Sequence, residues 1–165
     1  MIADGGVNSA EGFEVRRATT ADAPVVGRLL FDFNTEFESE TPSADQLASR
    51  FETLLNRPDV LVLLAEGAGA PAVAFAYLTF RPTPYGDGPI AQLEELYVRP
   101  ELRDQGIGTD LLTAALADSM ERGAIEMYIN VDEVDVDTRR FYERHGFVNI
   151  EPGRDYRMLF YMREL

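Results

Sequence analysis

Leu93-Glu94-Glu95-Leu96-Tyr97-Val98-Arg99-Pro100-Glu101-Leu102-Arg103-Asp104-Gln105-Gly106-Ile107-Gly108 is the stretch on which the fold turns. Ile90 to Val98 alternates, with Leu93, Glu95 and Tyr97 on one face and Glu94, Leu96 and Val98 on the other, and so predicts a strand. Arg99-Pro100 ends it, because a residue before proline stays extended. Beyond Gly108, Leu111, Leu112, Ala115, Leu116 and Met120 continue an apolar stripe that starts at Ile107; it predicts a helix to about Arg122, stopped by Gly123. A strand that runs through a glycine turn into a helix start presents free backbone amides and the positive end of a dipole. Gly106 and Gly108 let an anion approach that backbone closely, and Arg103 can pair with a phosphate. A dinucleotide fingerprint is not met, since Leu111 stands where its third glycine belongs.

Outward from this segment the chain reads as alternating short elements. Phe13 to Ala18 forms a first strand, and Met1 to Gly12 reads as a flexible N-terminal tail ahead of a single domain over 13–165. Thr20 and Pro24 open a helix carrying Val25, Val26, Leu29, Leu30 and Phe33, to about Phe37. Ser43 caps a second helix with Leu47, Phe51, Leu54 and Leu55 on one face. Val60 to Ala65 and Ala72 to Phe80 form a hairpin. Ala124 to Val131 is a strand, Val136 to Arg144 a short helix, and Phe147 to Ile150 and Tyr156 to Met162 are two closing strands. The order gives an α+β fold around a mixed sheet.

Composition narrows the chemistry. The 165 residues include no Cys and a single His, His145, which excludes thiol nucleophiles, disulfides and multi-histidine metal sites. All 15 basic residues are Arg, which excludes Schiff-base lysines and the lysine of a phosphate loop. The net charge of -14 argues against nucleic acid and favours cationic partners. No apolar run approaches the ~18 residues of a membrane span, and the N-terminus lacks the pattern of a signal peptide, so a cytoplasmic protein with no membrane role is expected.

Arg103-x-x-Gly106-x-Gly108 after the strand resembles the acyl-CoA-binding motif of the GNAT superfamily of N-acetyltransferases. Arg139-Arg140-Phe141-Tyr142-Glu143-Arg144-His145-Gly146-Phe147 is similar to that family's Phe-Tyr-Glu-x-x-Gly-Phe segment. The resemblance covers Phe13 to Glu164 and implies a mixed sheet splayed between strands 4 and 5, flanked by about four helices. It implies acetyl-CoA as acyl donor, with no metal, and a primary amine of a small molecule or peptide as acceptor. It also allows a homodimer. The donor would lie against Leu96, Tyr97 and Val98, where pantetheine pairs with the backbone, and against Arg103, Asp104, Gln105, Gly106, Ile107, Gly108 and Thr109 at the diphosphate. The family's asparagine upstream of the tyrosine falls at Asp135, which either contacts the donor or caps the helix; Asn130 is the substitute. The alternative is a non-catalytic acyl-CoA-binding or interaction module on the same fold.

Acetyl transfer to an amine requires a neutral amine, and an alkyl ammonium costs roughly 4 kcal/mol to deprotonate at pH 7. A carboxylate can take that proton. Glu94 and Glu95 both lie on the strand expected to line the thioester, and alternation lets only one face the cleft; comparable acids in the family place the weight on Glu94, and a bulge in this strand, common in the family, would change which. A backbone amide at Leu96 can stabilise the oxyanion. Tyr142, at the family's matching position, would return a proton to the leaving thiolate. Phe33, Glu36 and Tyr85 are the candidate acceptor contacts.

Overall fold

A computed structural model of the chain describes residues 10–165. Backbone contacts divide it into two compact units, one extending to Tyr128 and the other Ile129–Leu165. A five-stranded mixed sheet runs in the order β1 (Phe13–Arg17), β2 (Val60–Gly67), β3 (Ala72–Arg81), β4 (Ile90–Val98) and β5 (Glu126–Ile129). The first four strands pair antiparallel, and β5 lies parallel to β4. The helices are α1 (Ala23–Glu36), α2 (Ala44–Leu54), α3 (Ile107–Glu121) and α4 (Val136–Arg144).

Local chemistry sets these boundaries. Ser43 Oγ accepts from the Gln46 amide (3.2 Å) while Gln46 Oε1 accepts from the Ser43 amide (3.0 Å), a reciprocal cap that starts α2. Gly106 takes a left-handed φ of 89° and starts α3, so the helix begins at Ile107. Residues with side chains on one face of the sheet, Val62, Leu64, Phe75 and Tyr97, bury against Val26 and Leu29 of α1 and Phe51 of α2. The opposite face, with Leu78 and Leu93, is covered by α3, whose Ile107, Leu111, Leu112 and Ala115 are buried.

Gly27 lets α1 and α2 touch: a Cβ there would lie 2.5 Å from the Ala48 nitrogen and 2.8 Å from the Ala44 oxygen. The start of β5 is tied to the start of β4 by the Ile125 amide, which donates to the Pro89 carbonyl (3.0 Å). Beside it the backbones of Gly88 and Gly123 press together, since a Cβ on Gly88 would lie 1.7 Å from the Gly123 oxygen.

Two expectations need correction. The closing segments Phe147–Ile150 and Tyr156–Met162 do not form strands. A single backbone bond, from the Met158 amide to the Asn149 carbonyl (2.7 Å), joins them. Neighbouring Leu159 and Phe160 are 70% and 68% exposed, so no alternate face is buried to specify a ladder. The tail expected over 1–12 falls mostly outside the described residues; at their start, Ala10 is buried and its amide donates to Asp110 Oδ2 of α3 (2.7 Å). Finally, β4 does not alternate evenly. Tyr77 pairs with Glu95 but Leu78 pairs with Leu93, so Glu94 is an inserted bulge residue. Leu93 therefore lies on the face opposite Glu95 and Tyr97.

Candidate active site

The bulge gives the two acidic residues of β4 different surroundings. Glu94 is exposed, and its Oε1 accepts from the Thr79 hydroxyl (2.5 Å) on the neighbouring strand. Glu95 is half-buried on the α1 face, opposite Tyr77. Burial pushes its carboxyl up to about 7, and the adjacent Glu94 charge adds to the rise. Burial likewise pushes the Tyr77 phenol up.

The backbone of β4 beyond the bulge also has a direction. The Arg99 amide donates to the Val73 carbonyl (3.1 Å), which makes Ala74 and Val98 a pair without mutual hydrogen bonds. The amide and carbonyl of Val98 therefore point away from β3, and the two-residue repeat gives Leu96 the same orientation. Tyr97 lies between them with its backbone turned toward β3. Its ring is buried, stacked on Phe33 (5.2 Å) and near Phe75 (6.4 Å). The Tyr97 side chain is thus part of the core.

The turn after β4 is held from two sides. Asp104 adopts a left-handed φ of 60° and Gly106 one of 89°, and these two turns aim the chain into α3. Gly106 has no side chain to cap the helix, so the amides of Ile107, Gly108 and Thr109 lack intrahelical partners. Arg103 reaches back across the turn: its Nε donates to the Val98 carbonyl (3.0 Å) and its two Nη donate to the two Glu36 oxygens (2.7 and 2.8 Å). One turn back on α1, Asp32 pairs with Arg99 (3.2 Å). Gln105 is exposed, and its side chain lies 3.4 Å from the Glu101 carbonyl.

Phe33 and Glu36 therefore gather at the C-terminal end of β4. Tyr85 does not join them: it is 90% exposed in the loop before β4, roughly 23 Å of strand away from Tyr97. In the second unit, Asp135 caps α4, its side chain accepting from the Thr138 amide (3.1 Å). Tyr142 is buried, with Phe141 (5.1 Å) and Phe147 (5.4 Å) edge-on to its ring. His145 Nδ1 bonds the Phe141 carbonyl (2.7 Å) as a helix-end residue. Asn130 is exposed. Among the described residues no cluster of His, Asp and Glu is placed to hold a metal, and no helix is long and apolar enough to cross a membrane.

The Glu36–Arg103 pair is what sequence reasoning missed. The pair joins residues 67 apart in the chain, and no local pattern announces it.

The model of the acetyltransferase (GNAT) family matches residues 26–147, from α1 through the end of α4. This chain belongs to the GNAT family. Acetyltransferases of this family use acetyl-CoA as donor. A solved structure from Arthrobacter sp. FB24, which carries an acetyltransferase name, is 49% identical over 96% of this chain and 99% of its own, with a TM-score of 0.86. An aminoglycoside acetyltransferase from an uncultured soil metagenomic sample shares the fold at 24% identity, covering 93% of this chain and 97% of its own, with a TM-score of 0.75. A mycothiol acetyltransferase of Thermobispora bispora is 38% identical over 51% of this chain, and the match spans 28% of that relative's length. Within the GNAT frame, the bare amides at the start of α3, the outward backbone of Leu96 and Val98, and the Arg103 fork are the groups whose chemistry fits a diphosphate-bearing thioester.

Proposed function

We propose that this protein transfers the acetyl group of acetyl-CoA directly to a primary amine, with Glu95 as the general base. The observation that carries the reading is the half-buried Glu95 carboxyl beside the bulge on β4, pushed up to about 7. At that value it is ionised often enough to accept a proton near neutrality and basic enough to drive the transfer. Glu94 is instead engaged by Thr79 and exposed, so the weight moves from Glu94 to Glu95.

The donor's diphosphate is held by the amides of Gln105 to Thr109 and by Arg103, and its pantetheine arm pairs with the outward-facing backbone of Leu96 and Val98. Glu95 takes a proton from the acceptor ammonium. The neutral nitrogen forms the new C–N bond as the C–S bond breaks. The Leu96 amide donates to the oxygen that gains charge on the way. Tyr142, at the family's matching position, gives a proton to the departing thiolate, the proton that the nitrogen sheds on becoming an amide restores the phenol, and Glu95 passes its own proton to solvent, so the products are an amide and free CoA. Phe33 forms an apolar wall for the acceptor. Metal is not needed for any of these steps.

The test is thiol release from acetyl-CoA across a panel of amines and amino acids. The protein has no Cys, so the thiol signal belongs to CoA alone. The proposal expects saturable, amine-dependent release that Glu95→Gln suppresses. Release that never depends on an added amine counts against it.

A further inference from the structure

All three nitrogens of the Arg103 guanidinium are engaged. Its Nε holds the Val98 carbonyl, and both Nη hold the Glu36 carboxylate as a two-point fork. The Arg103 head also lies over the Tyr97 ring at 5.8 Å, and Tyr97 is itself stacked by Phe33 of α1. Two features make this arrangement more than a surface ion pair. First, a carboxylate and a phosphate compete for the same planar fork of donors, and the phosphate carries more charge and more oxygens. Second, the Val98 carbonyl taken by Arg103 points away from β3, so it is the atom to which a strand-like amide chain lying along β4 would donate.

We propose that Glu36 is a built-in competitor of the donor's diphosphate for Arg103, so that donor binding and release of the Glu36 carboxylate are one exchange. This inference rests on the acetyl-CoA reading above. The side chains of Arg103 and Glu36 are 38% and 27% exposed, and ion pairs at that exposure hold only weakly, so the exchange is cheap in either direction. Coupling of this kind is reciprocal: whatever neutralises Glu36 frees Arg103 and tightens donor binding, and donor binding leaves a free carboxylate at the end of α1. In this scheme Glu36 is a positioning residue that acts on the donor through Arg103.

Calorimetric titration of CoA into the wild-type protein and Glu36→Gln tests this, with Asp32→Asn as a charge control and pantetheine as a ligand without the diphosphate. The exchange predicts that Glu36→Gln binds CoA roughly two- to fivefold tighter than wild type, from the modest strength of such a pair. It also predicts that Asp32→Asn leaves CoA affinity unchanged and that Glu36→Gln gains less for pantetheine, which lacks the diphosphate, than for CoA. Equal or weaker CoA binding by Glu36→Gln overturns the exchange, as does an equal gain in Asp32→Asn, which reports general charge. Failure of CoA to bind either wild type or Glu36→Gln overturns the donor reading itself. Should Glu36→Gln not fold, the Arg103 Nε–H resonance of the wild type, identified by its loss in Arg103→Lys, takes its place. Its displacement by saturating CoA supports the exchange, and its constancy overturns it.

Discussion

Glu95 is a carboxyl whose surroundings favour the proton. Its pKa is about 7 in the folded protein against an ordinary 4.5, so the folded state binds more protons than the unfolded chain between those values. Stability therefore falls as pH rises from about 4.5 to about 7. Replacing Glu95 with Gln should raise the melting temperature at pH 8, by an amount equivalent to about 1–3 kcal/mol, and leave it unchanged at pH 4. The same substitution should lower kcat by roughly 10²- to 10⁴-fold and abolish the acid limb of the kcat/KM profile near pH 7. A structural glutamate would change stability without removing that limb. Asp22 shows the opposite sign. Bonded by Arg16 at 2.8 and 2.9 Å, its carboxyl is lowered from 3.8 to about 2. Its contribution is present above about 3.8 and is lost as pH falls toward 2. Acid unfolding of Asp22→Asn should therefore show a shallower stability loss across pH 4 to 2 than wild type, with a deficit of about 1–2 kcal/mol at pH 7.

Elements were legible where their signals are local. The Ser43 cap, the apolar stripe of α3 and the extent of α4 follow from neighbours a few residues apart. A bulge in β4 was foreseen from the family, but its position at Glu94 was not legible, because one inserted residue leaves the composition of a strand unchanged while moving Leu93 to the other face. The choice between Glu94 and Glu95 depends on that bulge, so it needed the structure. The turn after β4 and the start of α3 were read correctly, but the Arg103 fork onto Glu36 joins distant parts of the chain. The residues after Phe147 alternate well enough to suggest strands, yet a strand exists only where a partner completes its ladder. Packing between elements makes its own prediction. Gly27→Ala places a methyl against the backbone of α2 at 2.5–2.9 Å, and rigid backbone cannot yield as a side chain end would. Thermal unfolding should show destabilisation of about 1–3 kcal/mol, with acetyl transfer per folded molecule retained.

At the scale of the molecule, a net charge of -14 sets a long-range field. If acceptors are cationic, raising ionic strength should increase their KM, while an uncharged-amine acceptor of similar size should respond weakly. A KM for cationic amines that is indifferent to salt would assign the acidity to solubility alone. The donor side is the account's foundation, because the amides that open α3 and the outward backbone of β4 must grip the same molecule. The most direct measurement is a titration of the isotope-labelled protein with acetyl-CoA, followed through backbone amide resonances. Saturable displacement of Gln105, Gly106, Ile107, Gly108 and Thr109, together with Leu96 and Val98, is the predicted result. Amides at these positions that stay in place at millimolar acetyl-CoA would contradict the account.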